Sequence, residues 1–285
     1  MNTYNLGGQS GCKILLIEND EGNTFVRKIS KDVDYNSRLK IQCKKQASFQ
    51  CGLIKTPRVL DKGMTENGLF YFDMEYVQGI TLAKHIQTME ISKVKDLVSI
   101  LVENLIPKRT STKGNDCTKT IFLEKIQNLR ETLANKNNKI IQDALDLLEK
   151  YEWNKLTPTP CHGDMTLENI IVKNDTLYFI DFLDSFYDSW FLDIGTLLQD
   201  VQIMWSYRFQ KDIGMNTVLR LIVFRDLLLE EIKKIDPSHI VKIYYSLLQK
   251  LIRIYPYTKD QLTYEFLNKK TEMVLDTIHS LEDNL

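Results

Sequence analysis

Charge of one sign is not in excess: 37 Lys and Arg stand against 38 Asp and Glu, a formal net charge of −1. A chain so balanced offers no basic surface for nucleic acid, and no nucleic-acid partner is expected. Cysteine is scarce and odd in number: five residues, at positions 12, 43, 51, 117 and 161, with no Cys-x-x-Cys pair. That argues against a disulfide framework or a thiolate zinc site, and it fits a reducing, cytoplasmic setting. Long apolar runs are missing too. The most apolar stretches, residues 97–106 and 219–224, are short and contain or adjoin polar residues, so no membrane span is expected. Residues 1–13 have no apolar signal core. There is no internal repeat and no low-complexity segment. The glycine-rich run at residues 6–11 lacks a Gly-Lys-[Ser/Thr] ending and is not a Walker A loop.

What is present is an ordinary globular composition, 43% apolar and 26% charged, in 285 residues. That length suffices for one large domain or two lobes with their own cores. The first third reads as β-rich. Residues 12–18 (CKILLIE) and 24–30 (TFVRKIS) flank the turn sequence NDEGN at 19–23 and predict a hairpin. Residues 37–49 predict a helix, Pro57 a break before a short strand, and residues 68–76 (GLFYFDMEY) a strong strand. From Thr81 the period turns helical through Leu82, Ile86, Met89, Val94, Leu97, Leu101 and Leu105. Residues 108–118 predict a loop, and 121–151 a further helical stretch. A β-like island follows: 170–172, a turn at 173–175, and 177–180. Beyond Asp193 the chain reads as almost entirely helical. The fold expected is α+β and bilobal, with a small β-rich lobe over residues 1–77 and a larger helical lobe over 78–285. A ligand cleft is expected at the joint.

One segment, residues 161–184 (CHGDMTLENIIVKNDTLYFIDFLD), carries the chemistry. It holds His162-Gly163-Asp164, then Asn169, a hairpin, and Ile180-Asp181-Phe182. The hairpin turns the chain back, so that Asn169, before its first strand, meets Asp181, after its second. Two oxygen ligands converging in this way suit a hard cation such as Mg²⁺. A helix-capping Asp and ordinary hairpin polar residues would leave the same letters. His162, beside Gly163, reads as structural rather than as a base.

The pattern H-G-D-x-x-x-x-N followed by I-D-F resembles the aminoglycoside phosphotransferase and choline kinase family, which shares the protein-kinase fold. The resemblance implies ATP and Mg²⁺ as cofactors, Asp164 as the group that accepts or orients the acceptor hydroxyl proton, and Asn169 and Asp181 as metal ligands. It also implies an Asp near Asp193 that bonds the catalytic-loop backbone; an N-cap carboxylate is the alternative for Asp193. Asp184 is either close to the metal or solvated.

By the same resemblance, Gly8, Ser10 and Gly11 lie where a kinase has its glycine-rich turn, whose backbone N–H groups approach phosphates. Lys28 shares a strand face with Val26, an ammonium for the α- and β-phosphates beside an apolar surface for adenine, and Arg27 points the other way. Glu75 and Val77 mark the hinge, where backbone groups bond the adenine edge. There is one departure. Kinases pair the strand lysine with a helix Glu, and residues 37–49 contain no Asp or Glu. Gln46, on one stripe with Leu39 and Cys43, is the expected partner of Lys28.

Only twelve residues lead from Asp181 to Asp193, with no A-P-E-like motif. A protein kinase needs a long activation segment there, so the expected acceptor is a small molecule bearing a hydroxyl: a sugar, an amino alcohol such as choline, or an aminoglycoside. Asp184, Tyr187, Asp188, Trp190, Trp205 and Tyr207 are candidates to line its pocket, by cation–π contact or sugar stacking; a place in the core of the helical lobe is the alternative for Trp205 and Tyr207. Residues 180–200 look similar to bacterial members with surface-polysaccharide functions. The competing readings are a nucleotide-binding pseudokinase scaffold, which the missing helix Glu favours, and nucleotidyl transfer on the same fold.

Overall fold

The structure, a computed structural model, describes residues 2–7, 11–107 and 116–283. Gly8, Ser10 and most of the predicted loop over 108–118 lie outside the described residues. The chain forms two compact units.

The first unit holds the chain up to Leu82 together with His162–Asp164 and Glu168–Ser185. Its five-stranded antiparallel sheet has the order β1-β2-β3-β5-β4, from β1 (Asn2–Asn5), β2 (Lys13–Glu18), β3 (Thr24–Ile29), β4 (Val59–Met64) and β5 (Phe70–Glu75). Both β2 and β3 alternate buried and less buried residues, the signature of strands packed on one face. The face carrying Val26, Phe70, Phe72 and Met74 packs on Leu39 and Cys43 of α1 (Asn36–Ser48). β1 is exposed at all four positions and is held by its pairing to β2. Pairing of β3 to β5 sets Lys28 opposite Phe72 and Arg27 opposite Asp73. Arg27 makes a bidentate pair with Asp73, both contacts at 2.7 Å, on the face away from Lys28. That hydrogen bond raises the Arg27 guanidinium above its ordinary value despite partial burial.

A second, three-stranded sheet joins β6 (Ile80–Thr81), β7 (Ile170–Lys173) and β8 (Thr176–Phe179). The tight turn between β7 and β8 places Asn174 and Asp175 at φ 47° and 57°. Asn and Asp tolerate this left-handed region better than other side chains, which is why the pair makes a two-residue hairpin turn. Gly79 lies so near the Val172 carbonyl that a Cβ there would collide with it.

The second unit holds Ala83–Cys161, Met165–Leu167 and the chain from Phe186 onward. It contains the remainder of α2 (Leu82–Thr88), α3 (Lys93–Leu105), α4 (Asp116–Thr132), α5 (Lys139–Lys150), α6 (Trp190–Val201), α7 (Met215–Ile235), α8 (Ser238–Ile254) and α9 (Gln261–Glu282). The helical stretch predicted over 121–151 is broken between α4 and α5. Asn138 caps α5, its side chain accepting from Ile140 N–H at 2.9 Å and Ile141 N–H at 3.4 Å. Every residue of α6 is buried, and α6 packs against α8. Trp153 stacks on Phe122 with ring centroids 4.1 Å apart in the same core. Among the described residues no helix is long and apolar enough to cross a membrane.

Candidate active site

The site is built on the loop His162–Asp164, the segment Glu168–Asn169 and the end of β8, all within the first unit. His162 is fully buried and ties the loop to the hairpin. Its Nε2 lies 2.7 Å from the Ile180 carbonyl, which can only accept, so Nε2 carries the proton. Nδ1 then accepts from the Asp164 N–H at 3.2 Å. The Leu183 N–H donates to the His162 carbonyl at 3.1 Å. Phe182 and Phe179 close on the ring, with centroids at 4.4 and 5.6 Å. The imidazole is thus a strut, as its place beside Gly163 suggests. Gly163 has φ +93°, and a Cβ on it would collide with the Ser185 hydroxyl. Only glycine meets both conditions.

Asn169 Nδ2 donates to the Asp164 carbonyl at 2.8 Å and to the Asp164 carboxylate at 3.3 Å. The Ile180 N–H in turn donates to the Asn169 carbonyl at 3.0 Å, which draws the start of β7 to the end of β8. The next residue, Asp181, has φ 61°, outside the favoured regions for a residue with a side chain. Such a conformation costs on the order of 1–3 kcal/mol and persists where surrounding structure enforces it. The Asp181 side chain is 43% exposed, while that of Lys28, only 4% exposed, reaches it with Nζ–Oδ1 at 2.5 Å. Asp164 and Asn169 thus form one bonded pair and Lys28 and Asp181 another, and the backbone bond from Ile180 to Asn169 ties the segment before Asp181 to the first pair.

Lys28 also donates to an α1 side chain, and the residue differs from the expected one. Gln42 Oε1 accepts at 3.1 Å. Gln46 instead sends Nε2 to the Pro57 carbonyl at 2.9 Å and lies 3.5 Å from Met74 Sδ. The physical reason is a rotation of one residue, about 100° around the helix. The stripe Leu39, Cys43 and Gln46 faces the sheet, whereas Arg38, Gln42 and Lys45 face residues 183–185. Arg38 grips Asp184, with Nε to Oδ2 at 2.6 Å and Nη2 to Oδ1 at 3.2 Å. Gln42 Nε2 donates to Asp184 Oδ1 at 2.8 Å, and Lys45 donates to the Leu183 carbonyl at 3.0 Å. Burial alone would raise the Asp184 carboxyl, but the bonds from Arg38 and Gln42 outweigh it and hold it below the ordinary carboxylate value. Asp184 is thus not free in solvent; it anchors α1 through Arg38 and Gln42.

On the nucleotide side, Gly8 and Ser10 are outside the described residues, and Gly11 follows β1 with φ +77°. Glu75 ends β5, its carboxylate bonded to Arg58 with Oε1–Nε at 2.5 Å and Oε2–N at 3.0 Å. Val77 is half-buried two residues on. A cavity of about 670 Å³ opens beside Glu75, lined among others by Cys51, Lys55, Arg58 and Tyr178.

Three of the proposed acceptor-pocket residues are core. Trp190 stacks on Phe191, with centroids at 3.9 Å. Tyr187 donates to the Leu156 carbonyl at 2.9 Å, and Tyr207 to the Ala83 carbonyl at 2.7 Å. All three are at least nine-tenths buried. Trp205 lies under the Arg208 guanidinium, 3.8 Å from its centroid, and Asp188 accepts from the Cys161 thiol at 3.2 Å. Asp193 is not the helix cap, since Ser189 precedes α6. Asp200, seven residues on, also bonds the loop backbone: it accepts from the Leu167 N–H at 2.6 Å and from the Ser206 N–H and hydroxyl at 2.8 Å. Its place two turns along α6 hid it from a reading based on motif spacing.

With this geometry in hand, comparison with known proteins gives a class. Residues 7–217 match the phosphotransferase enzyme family, and the chain belongs to that family. Among solved structures, a putative fructosamine-3-kinase from Haemophilus somnus superposes with a TM-score of 0.61 at 16% identity, covering 98% of this chain and 91% of that one. Aminoglycoside phosphotransferase APH(4)-Ia, in a ternary complex with AMP-PNP and hygromycin B, gives 0.63 at 14% identity, covering 96% and 93%. The GDP complex of an aminoglycoside 2′-phosphotransferase-IIIa variant gives 0.60 at 17%, covering 98% and 91%. The fold is therefore the bilobal, protein-kinase-like α+β fold of these enzymes. No curated protein matches the sequence.

Proposed function

We propose that the protein transfers the γ-phosphoryl group of ATP to a hydroxyl of a small molecule, with Asp164 taking the hydroxyl proton. One observation carries the reading: Asn169 bonds Asp164 through both its carbonyl and its carboxylate, while Asp181 is in contact with Lys28. This arrangement supports phosphoryl transfer, a reaction that depends on positioning and charge more than on covalent chemistry. AMP-PNP with hygromycin B in one structural relative supports ATP and a small acceptor; GDP in another keeps GTP as a donor to be tested.

The donor set fits Mg²⁺. The Asn169 amide nitrogen is committed to Asp164, which reserves its oxygen for a cation, and Asp181 offers a half-exposed carboxylate. When bound, the metal neutralises charge on the phosphate oxygens. Lys28 supplies a second positive charge, for the α- and β-phosphates. The bond from Asn169 fixes the Asp164 carboxylate toward the acceptor, where it orients the hydroxyl and receives its proton. Gly8, Ser10 and Gly11 are proposed for the phosphates, and the backbone of Glu75 and Val77 for the adenine edge. With Asp164, Asn169 and Asp181 all present, a catalyst is favoured over a pseudokinase scaffold. A sugar, an amino alcohol such as choline, and an aminoglycoside are the acceptor classes to test, and five cysteines with no Cys-x-x-Cys pair support the cytoplasm as the proposed location.

The test is ADP release from Mg-ATP across a panel of such hydroxyl compounds. Acceptor-dependent release is expected, and Asp164→Ala should lower turnover by about 10²–10⁴-fold, the range for losing a general base, with Mg-ATP binding nearly unchanged. Near-normal turnover in that variant would sink the assignment of Asp164.

A further inference from the structure

α1 has no acidic residue, yet it touches the one buried lysine of the site. Gln42 lies at the centre of the contacts. Its Oε1 accepts from Lys28 at 3.1 Å, and its Nε2 donates to Asp184 at 2.8 Å and to the Tyr35 hydroxyl at 3.1 Å. The amide has only one workable orientation. An ammonium only donates and an ionised carboxylate only accepts, so Oε1 must face Lys28 and Nε2 must face Asp184. Bonds of this kind polarise one another, and a neutral amide between a cation and an anion is strengthened from both sides. Arg38 holds the far side of Asp184 through both carboxylate oxygens.

We propose that the anion which a helix carboxylate would supply to Lys28 is supplied here by Asp184, and that Gln42 is the neutral relay between them. Gln42, Asp184 and Arg38 are then positioning residues. They hold Lys28 in line for the nucleotide phosphates without placing a second full charge against it, so Asp181 can give up its contact with Lys28 while the ammonium keeps a partner. This extends the phosphotransfer reading, on which it rests for the role of Lys28.

The relay makes a prediction opposite to the simple one. Gln42→Glu would restore an ordinary lysine–glutamate pair, but it would also set two carboxylates at the present 2.8 Å separation, with no donor left between them. Moving the charge, in Gln42→Glu with Asp184→Asn, should repair the damage, because the Asn amide can donate to Glu and accept from Arg38. The measurements are the calorimetric affinity for Mg-ADP and the melting temperature of the ligand-free protein, on wild type, both single variants and the double. Gln42→Glu is expected to weaken Mg-ADP by about tenfold or more, and the double to return within about threefold of wild type, the scale of coupling seen for residues in one network. Gln42→Glu binding as tightly as wild type overturns the relay, and so does a double no better than that single. Should wild type bind no Mg-ADP, the phosphotransfer reading falls instead. The melting temperatures then judge the relay alone: losses in the single variants that cancel in the double support it, and losses that add overturn it.

Discussion

Of the five residues that α1 buries, three are polar: Asn36, Gln42 and Gln46. α6, of similar length, buries all twelve of its residues, most of them apolar. One helix is located by hydrogen bonds whose partners must sit within a few tenths of an ångström, the other by area removed from water. Burial is non-directional and sums over many contacts, so it tolerates small shifts and sets stability. A bonded network is directional, so it sets geometry. Within the first unit the polar network reaches the atoms proposed for chemistry; within the second, the apolar core sustains the fold. Variants in the two places should therefore separate activity from stability.

The largest expected effect is on activity. Asn at position 181 tolerates the left-handed backbone that Asp181 adopts and keeps an oxygen for Lys28, so Asp181→Asn removes charge alone. Turnover should drop by about 10²-fold or more, as when a preorganised electrostatic group is lost, while the melting temperature moves by only a few degrees. If turnover fell merely in proportion to the folded fraction, the contrast between network and core would be broken. Leu198→Ala should do the reverse. Leu198 is fully buried in α6, and a cavity there costs about 2–5 kcal/mol by urea unfolding, with turnover per folded molecule unchanged.

A smaller effect concerns pH. Burial, aided by the Lys242 charge and opposed by Asp236, holds the His239 imidazole below its ordinary 6.5. Its ring packs edge-on to Trp190 and Phe191 of α6, centroids at 5.2 Å. The fold favours the neutral ring, so this contribution is complete above pH 6.5 and is lost as pH falls through the depressed value. Unfolding free energy should decline between pH 6.5 and the depressed value by up to about 1.4 kcal/mol per pH unit for one proton. His239→Phe should flatten the decline; an unchanged slope would mean that His239 does not cause it.

Much of this was legible in the sequence. The hairpin Ile170–Phe179, the strand bearing Lys28 and the helix α1 all follow from turn letters and from period. The reading missed what depends on rotation or on partners. Gln42 and Gln46 both sit on faces of α1 that are buried, and the pattern of Leu39 and Cys43 identifies the sheet-facing one, so it pointed to the wrong glutamine. β1 carries no buried side chain and exists only because β2 offers an edge. Trp190 and Tyr207 read as pocket aromatics because composition does not say which way a ring turns. The break before α5 was signalled by the Asn137-Asn138 pair, which an apolar count over 121–151 passes over.

That break supplies the smallest effects and a check on what a short distance means. Asn138 and Lys139 are neighbours. The Asn138 side chain caps two N–H groups of α5 and donates to Tyr264 and Asn268, both at 2.9 Å. Asn138→Ala should cost about 0.5–2 kcal/mol, the usual range for a cap. Lys139 pairs with Asp143 at only 2.5 Å, yet the two side chains are 85% and 47% exposed. Water and salt screen such a pair, and ordering two long side chains offsets most of its attraction. A lysine in the first turn also opposes the positive end of the helix dipole. Lys139→Ala should therefore change the unfolding free energy by less than about 0.5 kcal/mol, measured by urea titration beside Asn138→Ala. A larger loss at Lys139 than at Asn138 would mean that exposed charge, rather than satisfied backbone, fixes where this helix begins.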